Sequence, residues 1–63
     1  MYKEGDKVYF QRDPIWNDNT WYEGIVSQPY KNMPVFQNGV YSIIGTNITI
    51  HCFASPNRLK PRQ

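Results

Sequence analysis

The sequence predicts a small all-β domain whose short strands curl into a five-stranded barrel. The chain has 63 residues, which is enough for one hydrophobic core and leaves no room for a second domain. Its five prolines recur at short intervals, and each disfavours a helix interior. The runs between them are rich in β-branched and aromatic residues and end in turn formers, a pattern typical of strands. Strands this short must curl into a closed barrel or pair with another chain, because open edges invite aggregation.

Short segments with strand character follow one another along most of the chain. They are residues 7–12, 21–28, 35–37, 40–44, 48–53 and 58–60. Asn38-Gly39 between two of them is a strong hairpin signal, and Gly24 inside another predicts a bulge or bend. Residues 13–20 and 29–34 are expected to form loops, the first pinned by Trp16, and residues 55–57 a short 3₁₀ turn.

Catalysis finds little support in the composition. Cys52 is the only cysteine and His51 the only histidine, so neither an internal disulfide nor a Cys/His zinc site can be assembled. The two residues are adjacent, and neighbours on a strand point to opposite faces, which argues against a nucleophile and base pair. The acidic residues lie mostly in turns, and the four glycines are scattered. We therefore predict no catalytic residue, no metal and no cofactor.

The N-terminal residues and the hydropathy of the sequence indicate the compartment. The opening residues contain no apolar run typical of a signal peptide, and no stretch approaches the roughly 20 apolar residues of a membrane span. A lone cysteine also fits a reducing environment. We predict an intracellular protein, cytoplasmic or, in a eukaryote, nuclear, with no membrane partner.

Four short motifs spread over the chain resemble those of SH3-like barrels. They are Gly-Asp-Lys-Val at 5–8, Trp-Tyr-Glu-Gly-Ile-Val at 21–26, Tyr-Ser-Ile at 41–43 and Arg-Leu-Lys-Pro at 58–61. Similar successions occur in Tudor domains and in the C-terminal DNA-binding domains of retroelement integrases. The resemblance implies a small barrel that binds nucleic acid or peptides.

A weaker similarity connects the chain with the type II dihydrofolate reductases, which are SH3-like barrels that form tetramers around a shared pore. The pore-lining Val-Gln-Ile-Tyr of that family falls on Ile-Thr-Ile-His at 48–51 here. Thr49 and His51 thus replace the glutamine and tyrosine whose side chains hold the ligands.

Basic residues near the C-terminus form the first group of candidate binding residues. Arg58, Lys60 and Arg62 alternate, and on an extended chain they point the same way as a basic stripe, although the net charge is only +2. Arg12 and Lys31, together with Lys7, would widen the stripe into a basic face.

Aromatic side chains form the second group. Two Trp, five Tyr and three Phe exceed what one small core can bury, so several rings are expected at the surface. Phe10, Phe53 and one of Trp21 or Tyr22 are assigned to the core. The surface candidates are Trp16, Trp21, Tyr22, Tyr30 and Tyr41.

Three functional hypotheses follow. The leading one is a non-enzymatic module that binds nucleic acid, DNA in the first instance, through the basic stripe and the exposed rings, with affinity that falls steeply with salt. The second is a Tudor-like reader of methylated peptides, or a protein-interaction module, built on an aromatic cage of Trp16, Trp21 or Tyr22, and Tyr41. The third is a reductase-like homotetramer, and self-association into a homo-oligomer is also expected because one copy's core is small.

Overall fold

The computed structural model describes residues 2–28 and 31–62, and its architecture is a single curled antiparallel sheet. The strands are β1 (Lys7–Phe10), β2 (Tyr22–Val26), β3 (Phe36–Gln37), β4 (Val40–Gly45), β5 (His51–Ala54) and β6 (Leu59–Pro61). Two 3₁₀ turns, Pro14–Trp16 and Pro56–Arg58, precede β2 and β6. None of the helical turns in these described ranges is long and apolar enough to cross a membrane.

The strand order is that of a small SH3-like barrel. β1 lies between β2 and β6, β2 pairs with β4, and β4 pairs with both β5 and the two-residue β3. The chain thus runs through five principal strands, with a 3₁₀ turn before the last and β3 as a short extra rung. The predicted all-β barrel class is confirmed.

The core lies on the inner face of the curled sheet. Alternate side chains of each strand point toward this face. In β1, for example, Val8 and Phe10 are buried while Lys7 is exposed. The remaining buried apolar residues are Val26, Tyr41, Ile43, Ala54 and Leu59. Each Å² of apolar area that this cluster removes from water stabilises the fold by about 25 cal/mol, so the cluster is the main source of stability.

The hairpin between β3 and β4 is confirmed. Asn38 and Gly39 both have positive φ angles, 57° and 81°, which match a type I′ turn. That turn brings Gln37 opposite Val40 and Phe36 opposite Tyr41. The ring centroids of Phe36 and Tyr41 are 4.5 Å apart, so the hairpin also covers one edge of the core.

Several sequence predictions differ from the structure. The register through β2 is continuous, with Gly24 opposite Val8, so the predicted bulge at Gly24 is absent. β5 begins at His51, because residues 46–49 form a bend. Phe53, assigned to the core, is 42% exposed because it alternates with buried Ala54. Tyr41, assigned to the surface, is buried because it shares the inner face of β4 with Ile43.

Candidate nucleic-acid interface

Arg58, the first residue of the predicted stripe, is bonded to the backbone of the barrel. Its Nη1 donates to the carbonyl of Gln11 at 3.2 Å, and its Nη2 donates to the carbonyl of Phe53 at 3.0 Å. These bonds connect the turn before β6 to the end of β1 and to β5. The Arg58 guanidinium therefore helps to hold the curled sheet together.

Arg62, the last residue of the stripe, has a similar structural part. Its Nε donates to the carbonyl of Val8 at 3.3 Å, and its Nη2 donates to the carbonyl of Gly24 at 3.2 Å. Its Nη1 is 3.5 Å from Oε1 of Glu23. Arg62 thus spans β1 and β2, and its charge is offset by a neighbouring carboxylate.

Lys60, the middle residue of the stripe, lies on two aromatic rings. Its Nζ is 4.3 Å from the ring centroid of Trp21 and 5.8 Å from that of Tyr9. The side chain is exposed, and Trp21 is 36% exposed. A cation over an indole face at this distance is a cation–π contact. We call Tyr9, Trp21 and Lys60 the outer cluster.

Strand pairing explains why the outer cluster forms. Tyr9 is directly opposite Lys60 on β6 and opposite Glu23 on β2, and residues paired in this way share a face of the sheet. Trp21 immediately precedes β2 and reaches the same cation. Lys7 is on this outer face too, two residues before Tyr9 on β1. The face therefore joins two lysines, two rings and one carboxylate.

A second pairing of a cation with an aromatic ring lies in the loop between β1 and β2. The guanidinium carbon of Arg12 is 4.4 Å from the ring centroid of Trp16, which is 62% exposed. The neighbouring Ile15 is 84% exposed. We expected Trp16 to pin this loop, but its ring is exposed and projects from the loop.

Hydrogen bonds between residues close in sequence shape that loop. Oδ1 of Asp13 accepts from the backbone N–H of Ile15 and caps the first 3₁₀ turn, which ends at Asn17 in the left-handed conformation. The carboxylate of Asp18 accepts from the Tyr22 hydroxyl at 2.6 Å and from the backbone N–H of Thr20 at 2.9 Å. These contacts lower the pKa of Asp18. The hydrogen bond from the Tyr22 hydroxyl has the largest effect, followed by the hydrogen bonds from Thr20 and the charge of Arg12.

The other predicted surface residues are spread over the molecule. Tyr22 is half-buried, with its ring centroid 5.8 Å from that of Phe10. Lys31 is exposed in the turn after β2 and lines a shallow hollow with Met33 and Pro34. Tyr30 lies outside the described residues. Of the predicted set, the outer cluster contains only Lys60 and Trp21.

Sequence reasoning missed Tyr9, although the signal was present. Successive side chains of a strand point to opposite faces, so the assignment of Phe10 to the core leaves Tyr9 on the outer face. The pairing of Tyr9 with Lys60 depends on the register of β1 with β6, which no local pattern specifies.

The predicted aromatic cage is not assembled. Tyr41 is buried, its hydroxyl accepts from the backbone N–H of Tyr2 at 3.1 Å, and its ring makes an edge contact with that of Tyr2. Trp21 already carries the Lys60 ammonium. A methylated side chain would therefore not meet the three predicted rings together.

His51 and Cys52 have separate surroundings. Nε2 of His51 shares a hydrogen bond of 2.9 Å with the hydroxyl of buried Ser42, and the His51 ring lies against Phe53. Cys52 points inward, and burial raises the pKa of its thiol. Across the residues that the structure describes, no three His, Cys, Asp or Glu side chains gather as metal ligands.

A hollow with a volume of about 600 Å³ is lined by residues 44–51. It follows the bend between β4 and β5, and its lining includes one ionisable side chain, His51.

Comparison of the chain with protein-family models, with curated proteins and with solved structures returned no match.

Proposed function

We propose that this protein is a non-enzymatic nucleic-acid-binding module and that the outer cluster is its contact surface. The observation that carries the proposal is the position of Lys60 Nζ, 4.3 Å from the centroid of the exposed Trp21 ring. Base stacking and phosphate pairing need an aromatic face beside a mobile cation. Tyr9 and Lys7 extend that combination along the same face of β1.

The magnitudes favour exchange of the lysine for a base. An exposed cation–π contact is worth about 0.5–1 kcal/mol. Stacking of a nucleobase on an aromatic side chain is worth about 1–3 kcal/mol. A base that displaces the Lys60 ammonium from the Trp21 ring therefore gains more than the contact it replaces. The released ammonium is then free to pair with a phosphate of the bound strand.

The two other hypotheses have less support. A peptide reader lacks the predicted cage, because Tyr41 is part of the core. A reductase-like pore would need a ligand-holding strand at residues 48–51, where the chain bends and Thr49 and His51 replace the required side chains.

The direct test is fluorescence anisotropy of a labelled oligonucleotide titrated with the protein at low and moderate salt. Trp emission is followed in parallel in a Trp16→Phe background, so that any quenching reports on Trp21. Binding with quenching is the expected result. Lys60→Gln should weaken binding, whereas Lys31→Gln is the matched control, because Lys31 is equally exposed but lies in the turn after β2. Absence of binding at low salt would refute the proposed function.

A further inference from the structure

The outer cluster is built for bases that are not already stacked. Trp21 and Tyr9 present ring faces, and at present the Lys60 side chain covers them. In a duplex both faces of each interior base are covered by its neighbours, so a protein ring can stack only on a base that is unpaired or splayed out.

The available positive charge leads to the same conclusion. Duplex binding relies on neutralising several phosphates, often six or more. Here the guanidinium groups of Arg58 and Arg62 face backbone carbonyls of the barrel, and Arg62 is also paired with the carboxylate of Glu23. Lys7 and Lys60 are the cations that remain on the outer face. Two outward-facing lysines neutralise fewer phosphates than duplex binding uses, so stacking supplies a larger share of the affinity.

The shape of the surface gives a third reason. A major groove admits an α-helix or a two-stranded ribbon that projects from the protein. The outer cluster instead lies on the face of three adjacent strands, β2, β1 and β6. A flexible single strand can follow such a face, whereas a rigid duplex touches it only along its phosphates.

We infer that the outer cluster selects single-stranded over double-stranded nucleic acid, an inference that rests on the proposed function. The Arg12–Trp16 pair repeats the same chemistry in the loop between β1 and β2, with an exposed indole covered by a guanidinium. Trp16 borders residues 50–52 rather than the outer cluster, so this pair is a separate exposed ring.

The test compares one labelled oligo(dT) strand of about 12 nucleotides, alone and annealed to oligo(dA), at a single salt concentration. The expected result is that the single strand binds at least about 10-fold more tightly, which is the effect of one stacked base. Trp21→Leu, which keeps apolar bulk but removes the ring, should reduce single-strand affinity by about 10-fold and leave duplex affinity unchanged. Circular dichroism of each variant verifies the fold.

The outcomes separate the two proposals. Equal or tighter binding of the duplex would overturn the single-strand preference while nucleic-acid binding itself stands. Equal loss of both affinities in Trp21→Leu would also overturn it, because stacking would then not be the source of selectivity. Trp16→Leu is the matched control, because it removes an exposed indole outside the outer cluster and should leave both affinities unchanged. Binding of neither oligonucleotide would overturn the proposed function together with the inference.

Discussion

The ring of Phe10 lies directly against the backbone of Gly24. A Cβ atom built on Gly24 would be 2.7 Å from Cε1 of Phe10 and 2.8 Å from Cγ2 of Ile43, both closer than real carbon contacts allow. Phe10 and Ile43 are fully buried, so neither side chain has room to move aside. Glycine is thus required in β2 by the close approach of the core, and its backbone keeps the regular register.

We therefore predict that Gly24→Ala destabilises the protein by about 1–3 kcal/mol, the usual cost of an added methyl group in a tightly packed core. The measurement is the urea midpoint, with the slope of the transition kept as a check on two-state unfolding. Thr49→Ala is the control, because Thr49 is exposed in a bend and should change stability by no more than about 0.5 kcal/mol. A midpoint for Gly24→Ala equal to that of the control would contradict the packing described.

Local patterns predicted most of the strands and turns of the fold. The Asn38-Gly39 turn, the position of β1 and the 3₁₀ turn before β6 follow from residue types and their spacing alone. Gly24 was expected to mark a bulge or bend, whereas glycine is needed there because Phe10 of another strand lies against its backbone. A sequence pattern carries no information on that distance.

The binding surface was harder to predict, because side chains with the same charge have different partners. Arg58, Lys60 and Arg62 alternate as expected. Only the register of β6 with β1 places the two guanidiniums against carbonyls and the ammonium against rings. Tyr41 is two residues before Ile43 on the same strand, and this spacing predicts that both side chains are buried. We instead placed Tyr41 at the surface because the chain contains more aromatic residues than one small core can bury.

The Tyr22 hydroxyl gives a prediction about acid stability. Because its hydrogen bond is the largest influence lowering the pKa of Asp18, that pKa is lower in the folded protein than in the unfolded chain. The resulting stability is present above the ordinary pKa of aspartate and is lost as the pH falls through the folded pKa. Tyr22→Phe should raise the pKa of Asp18 and shrink that acid-dependent loss.

Carboxyl NMR titration of Asp18, with urea midpoints measured from neutral to acidic pH, checks this expectation. Tyr9→Phe is the control, since Tyr9 lies on the outer face opposite Lys60 and Glu23. An Asp18 titration that is the same in Tyr22→Phe and in the unmodified protein would show that the Thr20 and Arg12 contacts suffice.

Cys52 gives a prediction about thiol reactivity. Burial raises the pKa of its thiol, and only the thiolate reacts with alkylating reagents. Iodoacetamide should therefore modify the folded protein more slowly at neutral pH than it modifies the protein unfolded in guanidinium, and the difference should narrow as the pH is raised. Mass spectrometry follows the modification. Equal rates in the folded and unfolded states would mean that the inner face of β5 opens freely to solvent.

The salt dependence of binding tests which cations contact phosphate. For a single strand the slope of log Kobs against log salt is about −0.7 per neutralised phosphate, so Lys7 and Lys60 together predict about −1.4. Lys60→Gln should reduce it to about −0.7. This is shallower than the steep dependence expected of a stripe with three unengaged cations, because Arg58 and Arg62 are bonded within the barrel. Anisotropy titrations over a series of salt concentrations measure both slopes. A Lys60→Gln slope equal to that of the unmodified protein would exclude Lys60 from the phosphate contacts and assign them to other residues.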